Sequence, residues 1–323
     1  MMMKKTMNWL LAATLVGSAG VFTACTSDDD DNAAGAGTTV VEAVINETNF
    51  PDANFRRFLL EQDYGKDGTL TNAEIKSITV MNVEEEEIGS LKGIEYFTAL
   101  DTLDCSGNSL TELDVSKNVA LKELNCSFNE LTALDISKNP ALKTLACSFN
   151  ELTALDISKN LALKMLICNF NYIASLDVSK NTELEYLHCS SNQLGRLDVS
   201  KNSKLTKLYC NSNQLTTLDV SRNTALTDLD CYKNELTTLV VSSNAPLSEL
   251  LLYRNKISEK GMDELISSLP RNTSSEAHKF AVIDHREGDE GNVFTKSQSD
   301  AVKAKGWSPV YWEEKENKWK EFE

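Results

Sequence analysis

From Leu100 onward the apolar positions of the chain fall into a fixed register. One unit, L-x-x-L-x-C-x-x-N-x-L-x-x-L-D-V-S-K-N-x-x, returns every 21 residues, starting at Leu100, Leu121, Leu142, Leu163, Leu184, Leu205, Leu226 and Leu247. The last copy loses the pattern after Ile257. A worn copy starts at Ile78, with Met81, Val83, Ile88 and Leu91 at the matching apolar positions, and is placed to close the N-terminal end of the array. Within L-x-x-L-x-C the second Leu and the Cys are two residues apart, so both point to one face of a short strand. The Asn that follows can bond backbone groups at a turn. No unit can bury its own apolar face, but stacked units bury one another's. The spacing therefore predicts a parallel sheet ~35–40 Å long at ~4.8 Å per strand. The second half of the unit repeats the first (L-x-x-L-D-V-S-K-N), which predicts strand-like segments on both sides of a flattened coil.

The unit resembles the leucine-rich repeat family in its short 21-residue bacterial type, over residues 78–257. The resemblance implies a repeat solenoid of stacked parallel strands and a role in binding. The flanks predict an N-terminal helical cap over 45–77 and a C-terminal α/β cap over 258–323. Before the repeats, Asp52 to Gln62 reads as an amphipathic helix. After them, the pattern predicts a helix over Lys260–Leu269, a strand over Lys279–Asp284, a helix over Thr295–Lys305 and a strand over Trp307–Trp312. An open solenoid end requires such terminal modules.

Seven cysteines, at 105, 126, 147, 168, 189, 210 and 231, occupy one position of successive units. Stacked equivalent positions have parallel Cβ vectors ~4.8 Å apart, longer than a disulfide normally allows. A ladder of buried free thiols, each acting as a small hydrophobe, is expected. A one-dimensional column does not supply converging metal ligands. Asp114, Asp135, Asp156, Asp177, Asp198 and Asp219 form a second column, and Lys117, Lys138, Lys159, Lys180, Lys201 and Arg222 a third. These read as structural contacts between repeats.

The variable positions around the Leu and Cys carry the candidate ligand site: Phe149, Met165, Ile167, Phe170, Tyr186, His188, Tyr209, Tyr232 and Tyr253. Toward the N-terminal end the same face is polar, with Thr102, Asp104, Glu123 and Asn125. Apolar and aromatic side chains projecting from a sheet need a covering partner, and aromatics dominate binding hot spots. Two other readings stand beside this one. The residues are ordinary exposed apolar groups, or Phe128, Phe149 and Phe170 tuck under the turn as packing.

The first residues have their own logic. Lys4 and Lys5 precede an apolar run, Trp9 to Val21, too short to span a bilayer comfortably. Val21-Phe22-Thr23-Ala24-Cys25 resembles a bacterial lipobox, which implies a signal peptide over 1–24 and lipidation of Cys25. Residues 25–44 then read as a flexible tether. Its run Ser27-Asp28-Asp29-Asp30-Asp31 resembles the acidic tag of Bacteroidota surface lipoproteins, which implies an outer-membrane protein facing the exterior. The formal net charge of −16 disfavours nucleic acid and anionic membranes, leaving the lipid anchor as the membrane contact.

Asp63-Tyr64-Gly65-Lys66-Asp67-Gly68-Thr69-Leu70-Thr71-Asn72-Ala73-Glu74 resembles an EF-hand loop. The resemblance implies calcium ligands at Asp63, Asp67, Thr69 and Glu74, with Gly65 departing where the family has an acid or Asn. A helix–turn–helix cap that keeps only the turn chemistry is the favoured alternative, and no other cofactor is expected. Asp284, His285, Glu287, Asp289 and Glu290 gather metal-type residues in one loop, at a spacing that matches no named site. No nucleophile, base and orienter constellation is present. The expected function is non-enzymatic binding of a protein ligand through the strand face. A glycan ligand and a spacer without specific ligand are the alternatives.

Overall fold

A computed structural model describes residues 41–275, 278–284, 290–313 and 318–322. In chain order its N-terminal part holds β1 (Val41–Val44), α1 (Ala53–Glu61), β2 (Thr69–Thr71) and α2 (Asn72–Ser77). The coils then contribute β3 (Val80–Asn82), β4 (Thr102–Asp104), β5 (Glu123–Asn125), β6 (Thr144–Ala146), β7 (Met165–Ile167), β8 (Tyr186–His188) and β9 (Lys207–Tyr209). They continue with β10 (Thr217–Val220), β11 (Asp228–Asp230), β12 (Thr238–Val241) and β13 (Glu249–Leu251). The C-terminal elements are α3 (Glu259–Ser268), β14 (His278–Asp284), α4 (Lys296–Lys303), β15 (Trp307–Glu313) and β16 (Lys318–Glu321).

The fold is a parallel-strand solenoid. One sheet of twelve strands runs β3-β4-β5-β6-β7-β8-β9-β11-β13-β14-β15-β16, parallel throughout except for the antiparallel β15–β16 pair. It is longer than the repeats alone predict, because β14 and β15 continue the ladder beyond the last coil. Register follows the repeat: Leu103, Leu124, Leu145, Leu166, Leu187 and Leu208 stand beside one another on consecutive strands. All six are buried, as are the seven cysteines of the repeats. The thiols are free, as expected of a column. Burial pushes the Cys126 and Cys189 thiols up to about 12, which keeps them uncharged.

The asparagines fasten coil to coil. Asn150 Nδ2 donates to the carbonyls of Cys147 in its own coil (3.2 Å) and Cys126 in the preceding one (3.0 Å), while its Oδ1 accepts from Leu131 N (3.0 Å). Asn129, Asn171, Asn192 and Asn213 repeat this triple bond. A second column, Asn118 to Asn223, spans the opposite corner through two donations each, and its Oδ1 atoms are buried without a hydrogen-bond partner.

The second half-unit corrects the expectation of strands on both sides of the coil. Apart from an isolated Asp114–Asp135 bridge, only β10 and β12 pair there among the described residues. A local bond is made in these half-units whether or not they pair. In six coils the Asp Oδ1 accepts the backbone N–H of the Ser two residues on, closing an Asx turn. At the β12 coil the Asp is replaced by Val240, which offers no such acceptor. The Ser hydrogen bonds hold Asp114, Asp135, Asp156, Asp177 and Asp198 below the usual carboxylate range. The acidic column thus closes a turn within each coil, where contacts between repeats were expected.

Candidate functional site on the strand face

Met165, Ile167, Tyr186, His188 and Tyr209 lie where the repeat places them, pointing away from the core on adjacent strands β7, β8 and β9. All five are half-buried. Tyr209 packs edge-on against Tyr186 (ring centroids 5.5 Å apart) and His188 (5.3 Å). Burial lowers the His188 pKa to about 4, so the imidazole is neutral near pH 7 and the patch carries no charge of its own. Ion pairs bound it on the C-terminal side: Lys207–Asp228 (3.6 Å) and Lys279–Glu249 (3.1 Å). On the N-terminal side Asn125 Nδ2 donates to Asp104 (3.0 Å).

The nine candidate residues do not form one open surface. Tyr253 is buried (7% exposed), stacked on Tyr232 at 4.5 Å and covered by Trp319 at 5.4 Å. Trp319 belongs to β16, so the C-terminal end of the face is occupied by the chain's own last strand. Tyr232 and Tyr253 therefore pack that end together with Leu251, Ala281 and Val310, and the expectation that Tyr253 projects freely is corrected.

Phe149 and Phe170 stand elsewhere again. With Phe128 they occupy the second residue after the Cys, where every coil turns through the left-handed region (φ 57°, 53° and 54° for Phe128, Phe149 and Phe170). A residue with a Cβ is disfavoured there by roughly 1–2 kcal/mol. Gly107 fills this position in the first coil, and that glycine is the sequence signal for the turn. The three rings stack on one another at 4.4 and 4.2 Å, nearly parallel, rather than tucking beneath the turn. Phe170 ends the stack and is 46% exposed.

Asp230 went unnoticed in the sequence. It faces outward from β11, in register with Tyr209 and Leu251. Burial raises its pKa to about 7, and its Oδ1 is buried without a hydrogen-bond partner. Its register position was legible, but the enclosure that desolvates it was not.

The residues present at the EF-hand-like loop do not fit a calcium ion. Asp63 is exposed and paired with Lys66, Asp67 accepts from Thr69 N (2.9 Å) and Oγ1 (2.8 Å), and Glu74 accepts from Thr71 N and Oγ1 (both 2.8 Å). Each carboxylate serves a local turn. Thr71 and Glu74 close a capping box at the start of α2. A Cβ on Gly65 would lie 2.0 Å from the Leu59 carbonyl oxygen, which explains why no side-chain ligand stands at 65. Among the described residues no group of three His, Cys, Asp or Glu is placed to hold a metal. Asp284 is bound to Arg254 (3.1 Å), and Glu290 accepts from the Arg254, Asp284 and Asn292 backbone N–H groups. Cys25, the acidic run after it, and His285, Glu287 and Asp289 lie outside the described residues.

No family model and no curated protein matches the chain. Solved structures do. The functional domain of InlJ from Listeria monocytogenes, which includes a cysteine ladder, is 30% identical with a TM-score of 0.57, over 76% of this chain and 57% of that one. The leucine-rich repeat protein LIC12759 of Leptospira interrogans is 19% identical (TM-score 0.60), over 73% of this chain and 62% of that one. Internalin C2 of Listeria monocytogenes is 22% identical (TM-score 0.53), over 58% of this chain and 87% of that one. The chain thus spans less than two thirds of the InlJ and LIC12759 structures. Coil, register, asparagine ladder and structural neighbours together give the chain the fold of the leucine-rich repeat proteins.

Proposed function

We propose that this chain is a non-enzymatic binding lipoprotein of the short 21-residue repeat type, resembling Bacteroidota surface lipoproteins. On this reading Cys25 anchors it in the outer membrane facing the exterior, and it recognises a protein ligand through the strand face. The observation that carries the reading is the contiguous patch of Met165, Ile167, Tyr186, His188 and Tyr209. Among the described residues, the ring contacts of Tyr186, His188 and Tyr209 are with one another, whereas the equivalent end of the face at Tyr253 is covered. An apolar, uncharged centre with a rim of ion pairs is the anatomy of a protein–protein interface. Repeat solenoids offer extended surfaces of this kind.

A photo-crosslinker at Ile167, followed by mass spectrometry on intact cells, would identify the ligand. Replacing Ile167, Tyr186 and Tyr209 together with Ser is expected to abolish binding of that ligand and leave the urea midpoint nearly unchanged. Equal binding by the triple variant would overturn the assignment. A glycan array run in parallel separates the sugar reading, and silence in both assays favours a spacer. Protease shaving of intact cells tests the location: release of the repeats supports an outward orientation, and cleavage only after lysis refutes it.

A further inference from the structure

The phenylalanine stack stops short. Its column runs Gly107, Phe128, Phe149, Phe170, Ser191, Ser212, Lys233 and Arg254, all with the same left-handed backbone. Three rings lie face to face with interplanar angles of 9° and 16°. Phe170 then meets two coils whose side chain at this position is a serine. Its outward ring face has no ring partner among the described residues, and Phe170 is 46% exposed. Beyond the serines, Lys233 stands three rungs from Phe170, about 14 Å at ~4.8 Å per rung. The result is a slot in the ring column, bounded at one end by the Phe170 ring and spanning the two rungs that carry serine.

The surroundings of the slot are polar but uncharged. Ser191 and Ser212 hold its two rungs, and the exposed Gln193 and Gln214 follow each of them by two residues. Asn211 Nδ2 donates to Ser212 Oγ (3.4 Å), which leaves the Ser212 hydroxyl hydrogen free to donate. Tyr172, 53% exposed, lies two residues from Phe170. The slot belongs to the same coils as the open patch, since Met165 and Ile167 share a coil with Phe170 and Tyr186 and His188 share one with Ser191.

We infer that this slot receives a planar aromatic side chain of the protein ligand, tyrosine or tryptophan, which adds the next ring to the Phe128–Phe149–Phe170 column. The inference rests on the reading that a protein lies on this face. A ring fits because the column already repeats at aromatic stacking distance. A ring bearing an O–H or N–H fits because the serine and glutamine groups beside it can bond it. Aliphatic side chains would use neither feature.

The test uses the purified protein with N-acetyl-tryptophanamide and N-acetyl-tyrosinamide as probes, with N-acetyl-leucinamide and methyl glucoside as controls. Binding is followed by NMR, through ring-current shifts and nuclear Overhauser contacts to the Phe170 ring. Two variants define the site. Phe170→Leu removes the ring face and keeps apolar bulk. Ser191→Phe fills the slot with the protein's own next ring, in a backbone conformation that Phe already adopts in three coils. The aromatic amides are expected to contact Phe170 and to bind roughly tenfold more weakly to either variant, the loss of one ring contact. The inference is overturned if the aromatic amides do not contact Phe170, if both variants bind them as the parent does, or if methyl glucoside binds in their place. Loss of this site does not depend on the wider patch. If Ser191→Phe spares capture of the crosslinked ligand while the Ile167, Tyr186 and Tyr209 triple variant abolishes it, the slot fails and the face reading stands.

Discussion

The two asparagine columns look alike in the sequence, yet their removal should have very different costs. Asn171 Nδ2 donates to the carbonyls of Cys147 (3.0 Å) and Cys168 (3.2 Å), and its Oδ1 accepts from Leu152 N (3.0 Å). Both carbonyls keep another donor after Asn171→Ala, because Asn150 also reaches Cys147 and Asn192 also reaches Cys168. Leu152 N–H loses its side-chain acceptor and is left buried. The loss is about 0.5–1.5 kcal/mol for each donation and about 1–3 kcal/mol for the orphaned N–H, or roughly 2–6 kcal/mol together. Asn181 Nδ2 makes two similar donations, to Ile157 (3.0 Å) and Asn160 (2.9 Å). Those carbonyls also accept from Asn160 N and Leu163 N. The Oδ1 of Asn181, however, is buried without a partner, so Asn181→Ala removes that penalty of about 1–3 kcal/mol along with the bonds. Its net polar cost is close to zero. Both substitutions leave a similar cavity, which cancels in the comparison. Urea unfolding should place Asn171→Ala about 3 kcal/mol below Asn181→Ala. Amide hydrogen exchange at Leu152 should accelerate in the first variant alone, a readout that survives any departure from two-state unfolding. Equal midpoints, or unchanged exchange at Leu152, would refute the assignment of the two columns.

The thiol ladder predicts that Cys105 to Cys231 resist alkylation at pH 8 in the folded protein and react together on unfolding, since burial holds each thiol protonated. Cys168→Ser should cost about 1–3 kcal/mol through its buried hydroxyl, whereas rapid labelling of the native protein would contradict the ladder. Asp230 and His188 should tilt stability with pH in opposite senses. The folded pKa of Asp230 is raised from 3.8 to about 7, so the stability it allows is present below the unfolded pKa and lost as pH rises through 7. Asp230→Asn should therefore stabilise by on the order of 4 kcal/mol at pH 8 and about 1–2 kcal/mol at pH 5. His188 is depressed from 6.5 to about 4, so its contribution is present above 6.5 and lost as pH falls toward 4; His188→Phe should remove that acid-side decline. Denaturation midpoints across pH 4–8 check both, and a pH-independent gain for Asp230→Asn would refute the first.

What could be read from the sequence was whatever the repeat states many times. Leu, Cys and Asn recur in register, so strand, inward thiol and turn bond were all legible, and so were α3, β14, α4 and β15, from their own periodicity and breakers, whereas β16 was not read. The left-handed turn was stated only once in the language of glycine, at Gly107, and the phenylalanines at 128, 149 and 170 hid it. The absence of strands in most second half-units was not legible, because the second half-unit repeats the apolar spacing of the first. Position 65 admits no side chain because the obstructing atom is a backbone oxygen of α1, a contact that spacing alone cannot reveal.

The candidate site divides along the same line. A position that varies within a fixed register is not shaped by the coil, so its residue must answer to whatever lies across from it. For several of these positions the answer is within the chain: Tyr253 has Trp319, Asp228 has Lys207, and Glu249 has Lys279. Those partners sit on a neighbouring coil or on the last strand, and once they are placed, the residues need no external ligand to explain them. Ile167 and Tyr209 stand in the outward column after the Leu and Tyr186 in the one before it, all in the middle of the sheet, where β16 does not cover them. Aromatic and branched apolar groups there gain least from the coil and most from a partner that removes them from water. The binding reading therefore attaches to β7, β8 and β9 and not to the whole aromatic run from Phe149 to Tyr253.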